Sequence, residues 1–196
     1  MELLPEAIEG RIVELRPLTS DYLAPLATAA EHAEIWTYLD EATPDQNGVA
    51  ALIDEAVEEQ RQGLRLPYVI VERRTSAIIG SISFIDLQPK HRGVEIGWAW
   101  VTPSHWRTGA AREAAYLLMR YAFDHGAIRV VFKTDSRNTR SQRAIEGLGA
   151  TREGVFRNHR ILRDGYVRDS IFYSVTGQDW PAVRLRLEEQ LGSLPN

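Results

Sequence analysis

The segment SHWRTGAAREAAYLL, residues 104 to 118, follows an apolar strand-like run, VEIGWAWV (94 to 101), and sets Trp106, Arg107, Thr108, Gly109, Ala110 and Ala111 where a helix should begin. A helix start leaves its first backbone N–H groups without intrahelical partners and carries roughly half a positive charge, so it attracts phosphate. Gly109 lets an anion approach the main chain without meeting a Cβ, Ala110 and Ala111 keep the profile low, and Arg107 adds a permanent cation. The dinucleotide fingerprint needs more glycines than this turn has. A tight helix–sheet junction made of small packing residues would read the same way, so neighbouring residues have to decide.

The strand before the turn carries the next candidate. Alternation puts Glu95, Gly97, Ala99 and Val101 on one face and Val94, Ile96, Trp98 and Trp100 on the other. A carboxylate that shares its face with two very small residues has room beside it for a ligand, which makes Glu95 a candidate base; the alternative is an ion pair with Arg73 or Arg92. Downstream, Asn138 and Ser141 in NTRS have the spacing of a helix cap. His159 and Asp169, on a C-terminal hairpin, are alternative acid–base groups, or simply hydrogen-bond each other. The tryptophans, Trp36 included, read as core or pocket wall by default; lining an acceptor groove is the alternative for Trp36 and Tyr38, near the first helix.

These residues need a scaffold, and the pattern supplies one. RIVELRPL reads as a short strand, a helix capped by Ser20 or Asp21 runs to about residue 31, and EIWTYLD adds another turn or two. Thr43 and Pro44 open a second helix over residues 44 to 62, its acidic face solvated. LPYVIVERR, AIIGSISFIDLQ and GVEIGWAWV are three strands in an antiparallel meander. The helix from about 109 to 125, the strand IRVVFKT (128 to 134) and the helix over NTRSQRAIEGLG, stopped by Gly149, continue as strand–helix–strand–helix. A hairpin turning at Asp164 and Gly165 follows, then a final helix with Asp179 as cap and Pro181 in its first turn. The expectation is one mixed α/β domain over residues 1 to 196.

Composition narrows the chemistry. At 196 residues, with 44% hydrophobic and 26% charged side chains, the chain suits a soluble globular domain. A net charge of −4 offers no global attraction for nucleic acid or an anionic membrane, so neither is expected as a partner. There are no cysteines, which excludes disulfides, thiolate metal sites and cysteine-borne intermediates. No secretory signal or membrane-spanning run is visible, so a cytoplasmic location is expected.

Taken together, the strand end VTPSHWRTGAAREAAYLL and the later RVVFKTDSRNTRSQRAIEGLGA resemble the acetyl-coenzyme A signature of the GNAT N-acetyltransferase superfamily. IVELRPLTSDYLAPL and the hairpin RNHRILRDGYVRDSIFYSV resemble its ribosomal-protein N-terminal (alanine) acetyltransferase branch, so the likeness spans nearly the whole chain. Trp106 stands where many members have Gln or Arg, and Arg107 and Thr108 replace a common Gly-Lys pair; Gly109 and Ala111 match.

The resemblance implies an α+β fold with a mixed, mostly antiparallel sheet of about seven strands flanked by helices. It also implies acetyl-coenzyme A as cosubstrate and no metal. Residues 106 to 111 would then hold phosphate, the backbone of Trp100 and Val101 the pantetheine arm and thioester carbonyl, Asn138 the pantetheine amides, and Arg140 or Arg143 the adenosine-side phosphate. Ser141 would protonate the leaving sulfur. Glu95, directly or through water, would deprotonate the acceptor amine; an α-amine, with a pKa near 7.7–8.0 against ~10.4 for lysine, asks less of that base. The acceptor is a protein or peptide N-terminus or a small amine, and a homodimer is compatible with the likeness. The competing class is a catalytically silent acyl-coenzyme A-binding module.

Overall fold

The computed structural model describes residues 1–39 and 43–193. Among them are strands β1 (Ile8–Glu9), β2 (Val13–Pro17), β3 (Arg65–Glu72), β4 (Ile78–Gln88), β5 (Gly93–Val101), β6 (Arg129–Asp135), β7 (Thr151–Ile161) and β8 (Val167–Thr176). The helices are α1 (Leu23–Ala30), α2 (Ala33–Trp36), α3 (Gln46–Arg61), α4 (Ala110–Asp124), α5 (Thr139–Gly147) and α6 (Trp180–Gly192). All eight strands join one sheet in the order β1-β2-β3-β4-β5-β6-β8-β7. Every pairing is antiparallel except β5 with β6.

The extra strand relative to the expected seven is β1, whose two residues are too few to show an alternation. Glu113 of α4 holds the turn after it: this buried carboxylate accepts the N–H groups of Arg11, Ile12 and Val13 at 2.9, 2.6 and 2.7 Å. The first turn of α4 is thereby fixed to the β1–β2 hairpin.

Three helix starts differ from expectation. Ser20–Tyr22 form a 3₁₀ turn, and α1 follows with no side-chain cap. Pro25 explains the interruption, since it has no N–H to give to a carbonyl one turn back. α3 starts at Gln46 because the Asp45 carboxylate, not Thr43, caps it by accepting the Gly48 N–H at 2.8 Å. Asp179 precedes α6, but its carboxylate turns back to the Thr176 N–H and hydroxyl at 2.9 and 2.6 Å. Asp40, in the segment expected to extend α2, lies outside the described residues.

The sheet has a core on each face. Tyr68, Ile70, Ile82, Phe84, Val94, Ile96, Val130, Phe132 and Tyr173 pack with Ala114, Leu117, Leu118 and Ala122 of α4 and Leu187 of α6. Val69 and Val71 face the other way, into Leu26, Trp36, Val49 and Ile53 of α1–α3. Small side chains at 110, 114 and 122 are buried at 0–1% exposure, which lets α4 lie close on the strands it follows.

Regular alternation fails in β5. The β4–β5 register slips between Ser81 and Ser83, and Trp98 opposite the slip has φ 50°. A bulge shifts every later side chain to the other face. Val101 therefore joins Val94 and Ile96 on the α4 side, while Trp100 packs with Trp36 on the α1–α3 side, ring centroids 5.7 Å apart. The expected grouping of Val101 with Glu95, and of Trp98 and Trp100 with Val94, is corrected by this one extra residue.

Candidate active site

β5 and β6 pair only at Gly93–Arg129, Val94–Val130 and Glu95–Val131. Beyond Glu95 β6 stays with β8 up to Asp135 and leaves β5, so the two parallel strands open into a wedge. The turn after β5 and the start of α4 stand at the mouth of this wedge, and Glu95 at its apex.

The turn is shaped by backbone rather than by side chains. Pro103–His105 make a single 3₁₀ turn, Trp106 is extended, and Arg107 (φ 66°) and Gly109 (φ 96°) are left-handed on either side of Thr108. Arg107 stands at the position where glycine was noted as the commoner residue, and the left-handed backbone gives the physical reason for glycine there. The Thr108 hydroxyl donates to the His105 carbonyl at 2.9 Å, and the first bond of α4 runs from Glu113 N–H to the Gly109 carbonyl at 2.8 Å. No side chain caps α4. The Ala110 N–H reaches the Thr108 hydroxyl at 3.4 Å, and the amides that follow are left for solvent or a ligand, with Arg107, Thr108 and Ala111 exposed around them and Ala110 turned into the core.

The edge of β5 facing the wedge also offers main chain. The Thr102 N–H donates to the Ile79 carbonyl at 2.8 Å, and the Trp100 carbonyl lies against Gly80, where an added Cβ would come within 2.0 Å of it. Residues 100 and 102 thus point their peptides into β4, and by alternation Val101 points its own toward the wedge. Of the two residues expected to offer amides there, the geometry selects Val101 and turns Trp100 away. The Trp106 indole N–H donates to the Val101 carbonyl at 3.0 Å.

Glu95 is 4% exposed, and Lys133 on β6, not Arg73 or Arg92, is its partner, Nζ to Oε2 at 2.9 Å. Arg73 pairs with Glu9, and Arg92 donates to the Gly126 carbonyl. Burial pushes the Glu95 carboxyl above the usual carboxylate range, and Lys133 only partly offsets it. Gly97 makes the space: a Cβ there would lie 2.7 Å from Ile85 and 3.3 Å from the Glu95 carboxylate.

α5 closes the other wall of the wedge. Asn138 caps it, accepting the Ser141 N–H through Oδ1 at 3.0 Å, which leaves the Asn138 amide nitrogen and the half-buried Ser141 hydroxyl for other contacts. The Arg140 guanidinium lies 3.7 Å from the Trp106 ring centroid. The two separate stretches, the turn at 106–111 and NTRS, are joined by that stack. Arg143 is exposed further along α5.

On the opposite face of the sheet, Glu95 opens into a cleft of about 300 Å³ between the ends of β4 and β5 and the β7–β8 hairpin, walled by Val131, Phe156 and Phe172. His159 and Asp169 do not pair: His159 Nδ1 is 3.0 Å from Ser170 Oγ, and Asp169 accepts the Asn158 N–H at 2.7 Å. Burial, then the charges of Lys133, Arg160 and Arg168, hold the His159 imidazole below its ordinary pKa.

The sequence profile of the Acetyltransferase (GNAT) domain matches residues 13–151. The chain belongs to the GNAT acetyltransferase family. This GNAT chain is 33% identical over 121 residues to the uncharacterized N-acetyltransferase YoaA of Bacillus subtilis, a match over 61% of the chain and 66%, just under two thirds, of YoaA. A putative acetyltransferase from T. thermophilus is 39% identical and superposes with a TM-score of 0.87 over 97% of the chain and 100% of its own. Mycobacterium smegmatis RimJ, solved with CoA-disulfide, shares the fold at a TM-score of 0.81 and 21% identity, over 96% of the chain and 95% of RimJ. The family so matched is one of acetyltransferases. No helix among the described residues is long and apolar enough to cross a membrane.

Two features of this GNAT site escaped the sequence pattern. Lys133 follows Val130, Val131 and Phe132 on β6, on the face opposite Val130 and Phe132; a cation at such a position signals a buried acidic partner. Arg137 binds Asp135 through both carboxylate oxygens and stacks on Tyr166 at 3.5 Å and near Tyr38 at 5.8 Å. It thereby bridges the segment after α2 to the tip of the β7–β8 hairpin. No local motif encodes that bridge, because its three side chains come from three distant segments.

Proposed function

We propose that this chain is an acetyl-coenzyme A-dependent N-acetyltransferase in which a primary amine attacks the thioester directly. The observation that carries the reading is the wedge beyond Glu95, with an uncapped helix start at one end and a buried carboxylate at the other. Residues 107 to 111 hold the diphosphate through backbone amides and the Arg107 cation. The Val101 amide and the Asn138 amide nitrogen bind the pantetheine arm, while Trp106 and Arg140 form its wall toward the nucleotide. Acetyl-coenzyme A supplies an acyl group already activated as a thioester, so no covalent enzyme intermediate is needed.

Glu95 accepts the proton of the incoming ammonium, its burial keeping it basic enough for the task. The new nitrogen–carbon bond forms as the carbon–sulfur bond breaks, and the nitrogen's second proton passes through the Ser141 hydroxyl to the departing sulfur, which leaves as the thiol. The acceptor is a peptide N-terminus, as the likeness to ribosomal-protein alanine acetyltransferases suggests, or a small amine.

Thiol release from acetyl-coenzyme A with a panel of amines tests the reading. Glu95→Gln is expected to lower kcat by about 10²-fold or more while coenzyme A still binds. Unchanged turnover in that variant would remove Glu95 from the mechanism.

A further inference from the structure

The cleft beneath Glu95 has an unusual division of labour between its rim and its walls. Each acidic group on the rim is already engaged. Asp86 accepts from Gln88 at 2.8 Å, Glu153 accepts from Arg129 at 2.7 Å and from the Ser174 hydroxyl at 2.8 Å, and Glu95 holds Lys133. The two rim carboxylates nearest the walls, Glu95 and Glu153, already carry a cation each. The apolar walls have no such occupant. Phe156 is 55% exposed although it sits 4.2 Å, centroid to centroid, from Phe172, and Val131 completes the surface beside them.

Register fixes where this surface lies. Gly154 pairs with Phe172, and Phe172 with Lys133, so the three share one row across β7, β8 and β6, next to Glu95 on β5. Neighbouring strands are about 4.8 Å apart, which puts the far wall on the order of 10 Å from β6. A Cβ added at Gly154 would meet nothing within 4 Å. The row is therefore open where a side chain would otherwise fill it, and the opening faces the Phe156–Phe172 pair.

We propose that this cleft receives the body of the acceptor, and that the acceptor is a primary amine carried by a compact apolar, preferably aromatic, group. The inference rests on the reading that Glu95 receives the acceptor's proton. The amine lies at Glu95, the short spacer passes Lys133, and the ring packs against Phe172 beside Phe156, on the side left open by Gly154. A free arylalkylamine and a peptide with an aromatic first residue offer the same chemistry.

The test uses the whole enzyme with acetyl-coenzyme A and five probes: 2-phenylethylamine, ethylamine, 1,4-diaminobutane, and the tripeptides Phe-Gly-Gly and Ala-Gly-Gly. The aromatic amine is expected to exceed ethylamine in kcat/KM by about tenfold or more, the usual worth of a filled apolar subsite. Gly154→Leu, which plugs the opening, and Phe156→Ala, which removes an exposed wall, each shrink that ratio about tenfold. Leu185→Ala, at an exposed position on α6, leaves it unchanged. Preference for Phe-Gly-Gly over 2-phenylethylamine assigns the cleft to a peptide's first side chain, and the reverse to a small amine.

Equal use of ethylamine, preference for 1,4-diaminobutane, or a ratio indifferent to both cleft variants overturns the inference and leaves the acetyl-transfer reading standing. Calorimetric binding of 2-phenylethylamine to the coenzyme A complex separates the converse case. Binding that Gly154→Leu abolishes, without thiol release from any probe, upholds the cleft and overturns the transfer reading.

Discussion

Glu95 and Lys133 set the working pH of the proposed reaction. Burial raises the Glu95 carboxyl, and the Lys133 cation pulls it back part of the way. A base acts when deprotonated, so activity is present above its pKa and lost below. Lys133→Met removes the opposing charge, and the acid limb of kcat/KM should move to higher pH, with rates at mildly acidic pH falling more than those on the alkaline plateau. Because both enzymes are measured with the same amine, titration of the acceptor cancels from the comparison; superimposable profiles would mean that Lys133 acts only in packing.

Arg107 gives a second prediction at this scale. A non-glycine residue in the left-handed region costs roughly 1–2 kcal/mol, and glycine gives back part of that gain through its freedom in the unfolded chain. Arg107→Gly is expected to stabilise the protein by roughly 0.5 kcal/mol in chemical denaturation. The same change should weaken acetyl-coenzyme A binding about fivefold, because a charge-assisted contact to phosphate is lost. Stability and affinity moving down together would show that the guanidinium braces the turn instead.

Among the elements, α5 has a cap that doubles as a proposed ligand contact, and the two duties can be separated. Asn138→Asp keeps an oxygen for the Ser141 N–H but loses the amide nitrogen, whereas Asn138→Ala loses both. Alanine should cost about 1 kcal/mol of stability and weaken coenzyme A binding; aspartate should keep the stability and still weaken binding. Thermal unfolding with and without coenzyme A reads both quantities, and full affinity in the aspartate variant would confine Asn138 to capping.

Much at this scale was legible in the sequence. Alternation and turn residues located β3, β4, β5 and the β7–β8 hairpin, and the bare helix start at Gly109 was visible as a run of small residues after a strand. What stayed hidden was tertiary: the bulge at Trp98 depends on how β5 meets β4. The Lys133 partnership, the Arg140–Trp106 stack and the Arg137 bridge join segments that no periodicity relates.

Across the whole molecule, β5, like β3, packs against both cores. Val94, Ile96 and Val101 are locked into the α4 side and Trp100 into the α1–α3 side. With both faces held, the wedge beyond Glu95 is a fixed feature of the folded sheet, and an extended ligand entering it has donors along one edge and a carboxylate at its end. Preorganisation of this kind spares the ordering cost of forming a site around its ligand. The most direct measurement is a crystal structure with a non-transferable thioether analogue of acetyl-coenzyme A. The account predicts diphosphate oxygens about 3 Å from the amides of residues 107 to 111 and the acyl end beside Gly97 and Glu95. An analogue bound outside the wedge, or one whose phosphates avoid the start of α4, would contradict it.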